Sequence, residues 1–175
     1  MDTPDALVIG AGPAGLMAAE VLAAAGHSVL IADAMPSPAR KFLMAGKSGL
    51  NLTKDEPLPE FLSHYHPQAA QLNAAVSGFG PQEVITWAEG LGQKVFTGST
   101  GRVFPVAMKA SPLLRTWLAR LAGLGVRLIS RWRWTGWDGE AAVFATPEGE
   151  RHIEAKVTIL ALGGASWARL GSDGH

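Results

Sequence analysis

The residues with the clearest chemical meaning are three glycines and one aspartate near the start of the 175-residue chain. Gly10, Gly12 and Gly15 follow a short apolar run with the spacing G-x-G-x-x-G, and a stretch typical of a helix comes next. Asp33 stands directly after a second apolar run at residues 28–32. A strand, a glycine turn, a helix, a second strand and an acid at its end form the unit that binds the adenosine half of a dinucleotide. The sequence therefore predicts a nucleotide site here.

Each position of the glycine turn has a physical reason. Gly10 allows a sharp turn out of the strand, Gly12 leaves room for a pyrophosphate to touch the main chain, and Gly15 allows close packing of helix and strand. Pro13 suits the first helical turn, where its missing N–H has no intrahelical acceptor to lose. The helix start, which includes Ala14, directs its free N–H groups and its partial positive charge at the phosphates.

The aspartate determines which nucleotide fits. A carboxylate at position 33 accepts hydrogen bonds from both ribose hydroxyls. The same charge repels a 2′-phosphate, so we do not expect NADP in this site. FAD and NAD both carry the free ribose, and the fingerprint alone does not separate them. The alternative interpretation of Asp33 is a solvated acid at a strand end.

The composition is that of an ordinary globular domain and excludes several functional classes. Hydrophobic residues make up 47% and charged residues 17% of the sequence, and 15 Lys plus Arg balance 15 Asp plus Glu. This balance gives no electrostatic footprint for nucleic acid. The chain has no cysteine, so disulfides, thiolate metal sites and redox-active cysteine pairs are excluded. We predict no metal site, because the His64 and His66 pair has no third ligand nearby.

Two features of the sequence bear on the compartment of the protein. The N-terminus is acidic and lacks the basic stretch of a signal peptide. No uninterrupted apolar run reaches the roughly 18–20 residues that span a bilayer. We therefore predict a cytoplasmic protein without membrane association. Its predicted partner is a small-molecule substrate that the sequence does not identify.

The order of the predicted elements indicates an α/β protein. The strand–helix–strand unit is followed by a loop at residues 34–56 and by helices over residues 57–92. Ser111 and Pro112 are typical of the N-cap and the first residue of a further helix. A strand follows at residues 126–129.

The remainder of the chain is predicted to be β-structure. A three-stranded antiparallel β-meander covers residues 131–137, 141–146 and 151–155, and a buried parallel strand covers residues 157–162. We predict a Rossmann-like FAD/NAD(P)-binding fold that combines a parallel sheet, a helical excursion and this meander.

Three tryptophans in the predicted meander have two interpretations. Trp132, Trp134 and Trp137 alternate with Arg131 and Arg133. Interleaved aromatic and basic residues can stack on nucleic-acid bases. A spacing near two fits one apolar face of a sheet better, and we predict that face.

Four segments carry a resemblance to a known family. They are residues 8–15, residues 40–53 with the run Gly46-Lys47-Ser48-Gly49-Leu50-Asn51, residues 101–105, and residues 162–166 continuing to Gly174. Their order and spacing cover essentially the whole chain. The chain resembles the two-dinucleotide-fold flavoproteins, and more narrowly the BaiN-like (YhiN-like) bacterial NAD(P)/FAD-dependent oxidoreductases.

The resemblance implies FAD at the fingerprint and further contacts outside it. The residues that it places along the pyrophosphate and the flavin are Arg40, Lys41, Gly46, Ser48, Gly49 and Asn51. It implies that a residue near Trp134 contacts adenine through the main chain, and that Gly163 is the glycine of the second FAD motif. That motif usually reads Ala-Thr-Gly, whereas this chain has Leu162 in place of the threonine. Many relatives also carry a Gly-Arg-Cys-Asn-type loop near residues 47–51.

Members of this family run on past Gly174 into an inserted substrate domain and a segment that completes the FAD fold. Residues 1–175 are therefore predicted to be the N-terminal part of an FAD-binding domain. The first hypothesis is the FAD-binding portion of a flavin-dependent oxidoreductase with NAD(P)H as the implied electron donor; the sequence assigns no catalytic residue. The second is a module that holds FAD or an adenine nucleotide without turnover. The third is a non-binding fragment that self-associates through an exposed sheet edge.

Overall fold

The computed structural model describes residues 3–65, 70–165 and 168–170. His66, and the parts of the fourth family motif at residues 166–167 and 171–174, lie outside the described residues. The chain forms two compact units, which we call the first unit (Met1–Met44 with Leu118–His175) and the second unit (Ala45–Trp117). Within the described ranges, no helix is long and apolar enough to cross a membrane.

A four-stranded parallel sheet forms the centre of the first unit. Its strands, numbered along the whole chain, are β1 (Ala6–Ile9), β2 (Val29–Asp33), β6 (Arg127–Ser130) and β10 (Val157–Leu160), in the order β10-β1-β2-β6. Helix α1 (Pro13–Ala24) connects β1 to β2 and buries Leu16 and Ala19 completely. Because all three strand pairings are parallel, the glycine turn after β1 and the aspartate at the end of β2 lie at the same edge of the sheet.

The second sheet of the first unit is the antiparallel meander. It consists of β7 (Arg133–Asp138), β8 (Ala141–Thr146) and β9 (Gly149–Ile153), in the order β7-β8-β9. Ala142 and Phe144 of β8 are completely buried and cluster with Leu7, Leu30 and Trp132. One hydrophobic cluster of this unit therefore lies between its two sheets. The predicted α/β Rossmann-like fold, with a parallel sheet and a separate three-stranded meander, is confirmed.

A β-bulge in β7 places two tryptophans on the same face of the meander. Trp134 lies opposite Phe144 and Trp137 lies opposite Ala142, because the register shifts between Trp134 and Gly136. The two indole rings meet edge-on, with 5.6 Å between their centroids. The additional residue of the bulge explains why the third tryptophan stands three residues, rather than two, after the second.

The second unit contains short helices and a small antiparallel sheet. Its elements are β3 (Thr53–Lys54), α3 (Leu58–Ser63), α4 (Ala70–Gly78), α5 (Pro81–Gly90), β4 (Val95–Thr97) and β5 (Arg102–Pro105), with the strand order β3-β5-β4. The Glu56 side chain is nearly buried and forms an ion pair with Lys54, and one of its oxygens lies 3.2 Å from the His64 Nε2. The hydrogen bond from the Lys54 ammonium lowers the pKa of Glu56. Helix α6 (Ala110–Gly123) contains the boundary between the two units.

Two predicted boundaries need correction. Residues 34–56 are not one loop, because they contain helix α2 (Arg40–Ala45) and strand β3. Both elements are short, so neither has enough residues to establish a hydrophobic period. Helix α6 begins at Ala110, and Ser111 and Pro112 therefore lie within its first turn instead of at its N-cap and first position.

The last two strands differ from their predictions in extent and burial. Strand β9 covers Gly149–Ile153 instead of residues 151–155, and β10 ends at Leu160 instead of residue 162. The sequence predicted a buried strand at residues 157–162, but Val157 and Leu160 are each 52% exposed. Strand β10 lies at the edge of its sheet, where a neighbouring strand covers it on one side only.

An aspartate before β1 connects the starts of three strands of the first unit. The Asp5 carboxylate accepts hydrogen bonds from the Lys156 ammonium at 2.6 Å and from the N–H and hydroxyl of Ser28 at 2.8 and 2.7 Å. These partners, the Lys156 ammonium first, hold the pKa of Asp5 well below its ordinary value. The ionised carboxylate therefore stabilises the folded chain at neutral pH.

This ionisation predicts a specific acid dependence of stability. A lowered folded-state pKa contributes stability above the unfolded-state value, and that contribution disappears as the pH falls toward the folded-state value. We expect Asp5→Asn to lower the free energy of unfolding at pH 7, and the difference from the unchanged protein to shrink between about pH 5 and pH 2. Urea denaturation across this range tests the prediction, and a difference independent of pH would contradict it.

Candidate nucleotide-binding site

A cavity of about 940 Å³ opens at the carboxyl ends of the parallel strands in the first unit. The glycine turn, the end of β2, the start of α2, strand β7 and the residues after β10 form its walls. Nine of the fourteen predicted site residues line it, namely Gly10, Gly12, Pro13, Ala14, Asp33, Arg40, Lys41, Trp134 and Gly163. Ligands of open α/β sheets bind at this edge.

The start of helix α1 faces this cavity with main-chain donors. The first helical hydrogen bond runs from the Leu16 N–H to the Gly12 carbonyl at 2.9 Å. The N–H groups of Gly12, Ala14 and Gly15 therefore have no acceptor inside the helix, and Pro13 has no N–H. No acidic residue lies in the first turn. This end of the helix is consequently a region of positive potential suited to an anion.

The three glycines of the turn are required for different reasons. A Cβ at Gly10, where φ is +110°, would lie 2.3 Å from the Ala161 carbonyl oxygen. A Cβ at Gly15 would lie 1.9 Å from the carbonyl oxygen of Gly10. A Cβ at Gly12 would meet no described atom within 4 Å, and its φ of −78° suits any residue. Gly10 and Gly15 are therefore required by the fold, whereas the space beside Gly12 is open to a ligand.

The carboxylate of Asp33 lines the cavity and is held by the main chain. One oxygen accepts the Ala11 N–H at 2.6 Å and the other accepts the Met35 N–H at 2.7 Å. Among the described residues that line the cavity, Asp33 is the one carboxylate. Each oxygen keeps a further lone pair for a ligand hydroxyl. The sequence predicted the position of this acid but not its two main-chain partners.

Arg40 reaches the cavity from an anchored turn. The preceding residue, Ala39, is buried in the left-handed region at φ 54°, and its N–H donates to the Ala11 carbonyl at 2.8 Å. Helix α2 therefore starts beside the glycine turn. The Arg40 Nε is shielded from solvent and has no hydrogen-bond partner in the described part of the chain. A buried guanidinium N–H without an acceptor fits a phosphate oxygen from a ligand.

Strand β7 forms the opposite part of the wall. The Trp132 N–H donates to the Asp33 carbonyl at 2.9 Å, and the Arg131 N–H donates to the Met35 carbonyl at 3.1 Å, so this segment is attached to the end of β2. Within the described sheets β7 pairs with β8 alone, which leaves its outer main-chain edge without a strand partner. Trp134 and Thr135 lie on this wall. The main-chain N–H and C=O groups along such an edge can form hydrogen bonds with a nucleotide base.

The remaining predicted loop residues lie in the second unit, where packing accounts for two glycines. A Cβ at Gly46 would lie 2.6 Å from the Ala110 Cβ, and a Cβ at Gly49, where φ is +135°, would lie 2.9 Å from the Met108 side chain. Ser48 and Asn51 are exposed. Cofactor contacts from these four residues stay predictions. No group of three or more His, Asp or Glu side chains that could hold a metal ion occurs in the described segments.

Sequence reasoning missed several residues that shape the cavity. Ala11 and Met35 hold the aspartate, Ala39 anchors the arginine, and Ala161 packs against the glycine turn. None has a side chain that carries chemistry, so the sequence offered no signal for them. The positive φ of Ala39 is visible in the structure alone.

Comparison with known proteins gives one family and a shared fold. The family described as HI0933-like protein Rossmann domain matches residues 4–175. A 3-ketosteroid-Δ4-(5α)-dehydrogenase from Rhodococcus jostii RHA1 is 17% identical with a TM-score of 0.60, over 93% of this chain and 46% of that chain. THI4 from Thermovibrio ammonificans is 18% identical with a TM-score of 0.58, over 96% of this chain and 61% of that chain.

A third structure, the open conformation of a flavocytochrome c3 fumarate reductase, is 21% identical with a TM-score of 0.58. The alignment covers 93% of this chain and 34% of that chain. At these identities the similarity concerns the fold. The chain spans between about a third and three fifths of the length of these three structures.

Proposed function

Because the chain belongs to the HI0933-like Rossmann domain family, we propose that it is the FAD-binding portion of a flavin-dependent oxidoreductase. One observation carries the proposal. Main-chain donors at the start of α1, the Asp33 carboxylate and Arg40, whose Nε has no partner among the described residues, all border one cavity at the carboxyl edge of the sheet. Helix N–H groups and a guanidinium suit a pyrophosphate, and a carboxylate suits the hydroxyls of the adjoining ribose.

Each part of the adenosine diphosphate half then has a proposed holder. The N–H groups of Gly12 and Ala14 and the Arg40 guanidinium bind the pyrophosphate. Asp33 accepts the ribose hydroxyls, and the outer edge of β7 at Trp134 holds the adenine. Gly163 borders the same cavity from the end of β10.

The finer assignments rest on the four motifs and on this arrangement. We propose membership of the BaiN-like group, FAD instead of NAD as the resident nucleotide, NAD(P)H as the electron donor and a cytoplasmic location. FAD, when bound, supplies hydride or electron transfer, and the chain's own residues bind and orient it. Lys41, Gly46, Ser48, Gly49 and Asn51 are proposed for the pyrophosphate and flavin side. The substrate is proposed to be a small molecule bound by a longer parent protein.

A visible absorption spectrum of the purified chain, before and after incubation with FAD and gel filtration, tests the proposal. We expect the bands of a bound oxidised flavin. Bleaching by NADH supports the oxidoreductase, and retained colour without bleaching supports a binding module instead. A colourless sample that binds neither FAD nor ADP in calorimetry would exclude both, and self-association of that sample would indicate a folded fragment.

The arginine provides a more local prediction. We expect Arg40→Gln to weaken ADP binding by about tenfold, because one charge-assisted contact to phosphate is lost. Adenosine, which lacks the phosphates, should bind both proteins equally. Arg127→Gln is the matched control, because Arg127 is exposed at the opposite end of the same sheet. Equal loss for ADP and adenosine would show that Arg40 acts on the fold and not on phosphate.

A further inference from the structure

The peptide groups on both sides of Ala11 connect the parts of the nucleotide cavity. The Ala11 N–H donates to the Asp33 carboxylate at 2.6 Å, and the Ala11 carbonyl accepts the Ala39 N–H at 2.8 Å. Ala11 itself is completely buried. The aspartate at the end of β2, the glycine turn and the residue before Arg40 are therefore joined through one residue.

The second oxygen of the carboxylate fixes its orientation. It accepts the Met35 N–H at 2.7 Å, so both oxygens are held by main-chain donors. A buried N–H that loses its acceptor is energetically costly, because water cannot replace that acceptor. The Ala11 N–H would be in this position without Asp33. The carboxylate therefore satisfies a main-chain donor of the glycine turn in addition to lining the cavity.

We propose that Asp33 is a positioning residue for the phosphate-binding turn, in addition to its proposed role as ribose acceptor. This inference rests on the proposed nucleotide function. Recognition of ribose and recognition of phosphate are then coupled through a single side chain, and a change at Asp33 affects both. An aspartate that acts on the ribose alone would affect the hydroxyl contacts alone.

A nucleotide without ribose hydroxyls separates these roles. Binding of ADP and of 2′,3′-dideoxy-ADP is measured by calorimetry for the unchanged protein and for Asp33→Asn. The amide of asparagine turns an N–H₂ toward one of the two main-chain donors, which loses its acceptor. We expect Asp33→Asn to bind dideoxy-ADP about tenfold more weakly than the unchanged protein does. Equal binding of dideoxy-ADP by the two proteins would overturn the positioning role.

The control is Asp5→Asn, which also removes a carboxylate that holds a main-chain N–H, but at the other end of the sheet. It should lower stability and leave both nucleotide affinities unchanged. If Asp5→Asn weakens dideoxy-ADP binding as much as Asp33→Asn does, general destabilisation explains the effect and the inference is wrong.

A measurement on the unchanged protein covers the case in which Asp33→Asn does not fold. Hydrogen exchange of the ligand-free chain should show slow exchange at the Ala11 and Met35 amides. Exchange at the rate of an exposed amide would overturn the inference. Failure of the proposed function has a different signature, because the unchanged protein would then bind neither nucleotide while both amides stay protected.

Discussion

Gly12→Ala is expected to leave the fold intact and to weaken ADP and FAD binding by at least about a hundredfold. The added methyl group meets no described atom within 4 Å, and the backbone at this position suits alanine. The methyl group therefore obstructs the ligand alone, by holding a phosphate away from the N–H groups of the helix start. Losing two hydrogen bonds to a charged group, each worth about 1.5–3 kcal/mol, corresponds to this factor.

Thermal unfolding and calorimetry on the same samples test this separation. The melting temperature without ligand should stay within about 2 °C of the unchanged protein. Gly123→Ala serves as the matched control, since its Cβ is also unobstructed and Gly123 lies away from the cavity. If Gly12→Ala keeps its affinity for ADP, the phosphates do not lie at the start of α1.

Gly15→Ala is expected to have the opposite effect and to lower the free energy of unfolding by at least about 3 kcal/mol. Its Cβ would lie 1.9 Å from the Gly10 carbonyl oxygen and 3.2 Å from a Val8 methyl group, so helix α1 must move away from β1. Helix propensity alone would favour alanine by about 1 kcal/mol, and the steric clash reverses that sign. The melting temperature should fall by about 6–12 °C.

Gly26→Ala is the control for this variant. Gly26 has a φ of +89°, and an added Cβ there would meet no described atom within 4 Å. Alanine at this position would therefore strain the backbone without a steric clash. We expect a loss of about 1 kcal/mol at Gly26. Urea denaturation compares the two variants. A loss at Gly15 no larger than that at Gly26 would mean that the close packing of helix on strand is not required for the fold.

The fold of the first unit was predictable because its signals are local. An apolar run, three glycines at fixed spacing and an acid at a strand end lie within residues 6–33, and each has a backbone or packing reason that the sequence displays. The meander was equally predictable, because turn residues separate its short runs of alternating apolar and polar residues. Its bulge was not, since the shift at Trp134 is a property of pairing with β8 and not of β7 alone.

The second unit shows the limit of such reasoning. Strands β3, β4 and β5 are two to four residues long, and β3 pairs with β5 across about 50 positions of sequence. Strands this short establish no period, so their existence depends on partners distant in the chain. The prediction that β10 is buried was wrong for a related reason. The sequence Val-Thr-Ile-Leu is typical of a central strand, and its place at the sheet edge depends on strand order.

The candidate site also has a part that could be predicted from the sequence and a part that could not. Asp33 was predicted from its residue type and its place at the end of a strand, whereas Arg40 was predicted from the family resemblance. The groups that position them belong to the main chain of Ala11, Met35 and Ala39, and every residue type except proline carries them. Main-chain hydrogen bonds of this kind follow from tertiary geometry, which explains why they appear only in the structure.

The order of strands also bears on how the protein is made. Strand β1 leaves the ribosome well before one of its two neighbours, β10, which begins only at Val157. The Ala161 carbonyl that packs against Gly10 arrives later still. A nascent chain that has not yet reached Gly164 holds the complete glycine fingerprint without the completed cavity around it. Capture of the nucleotide is therefore expected to wait for the translation of β10 and the residues after it, well after the glycine motif has been translated.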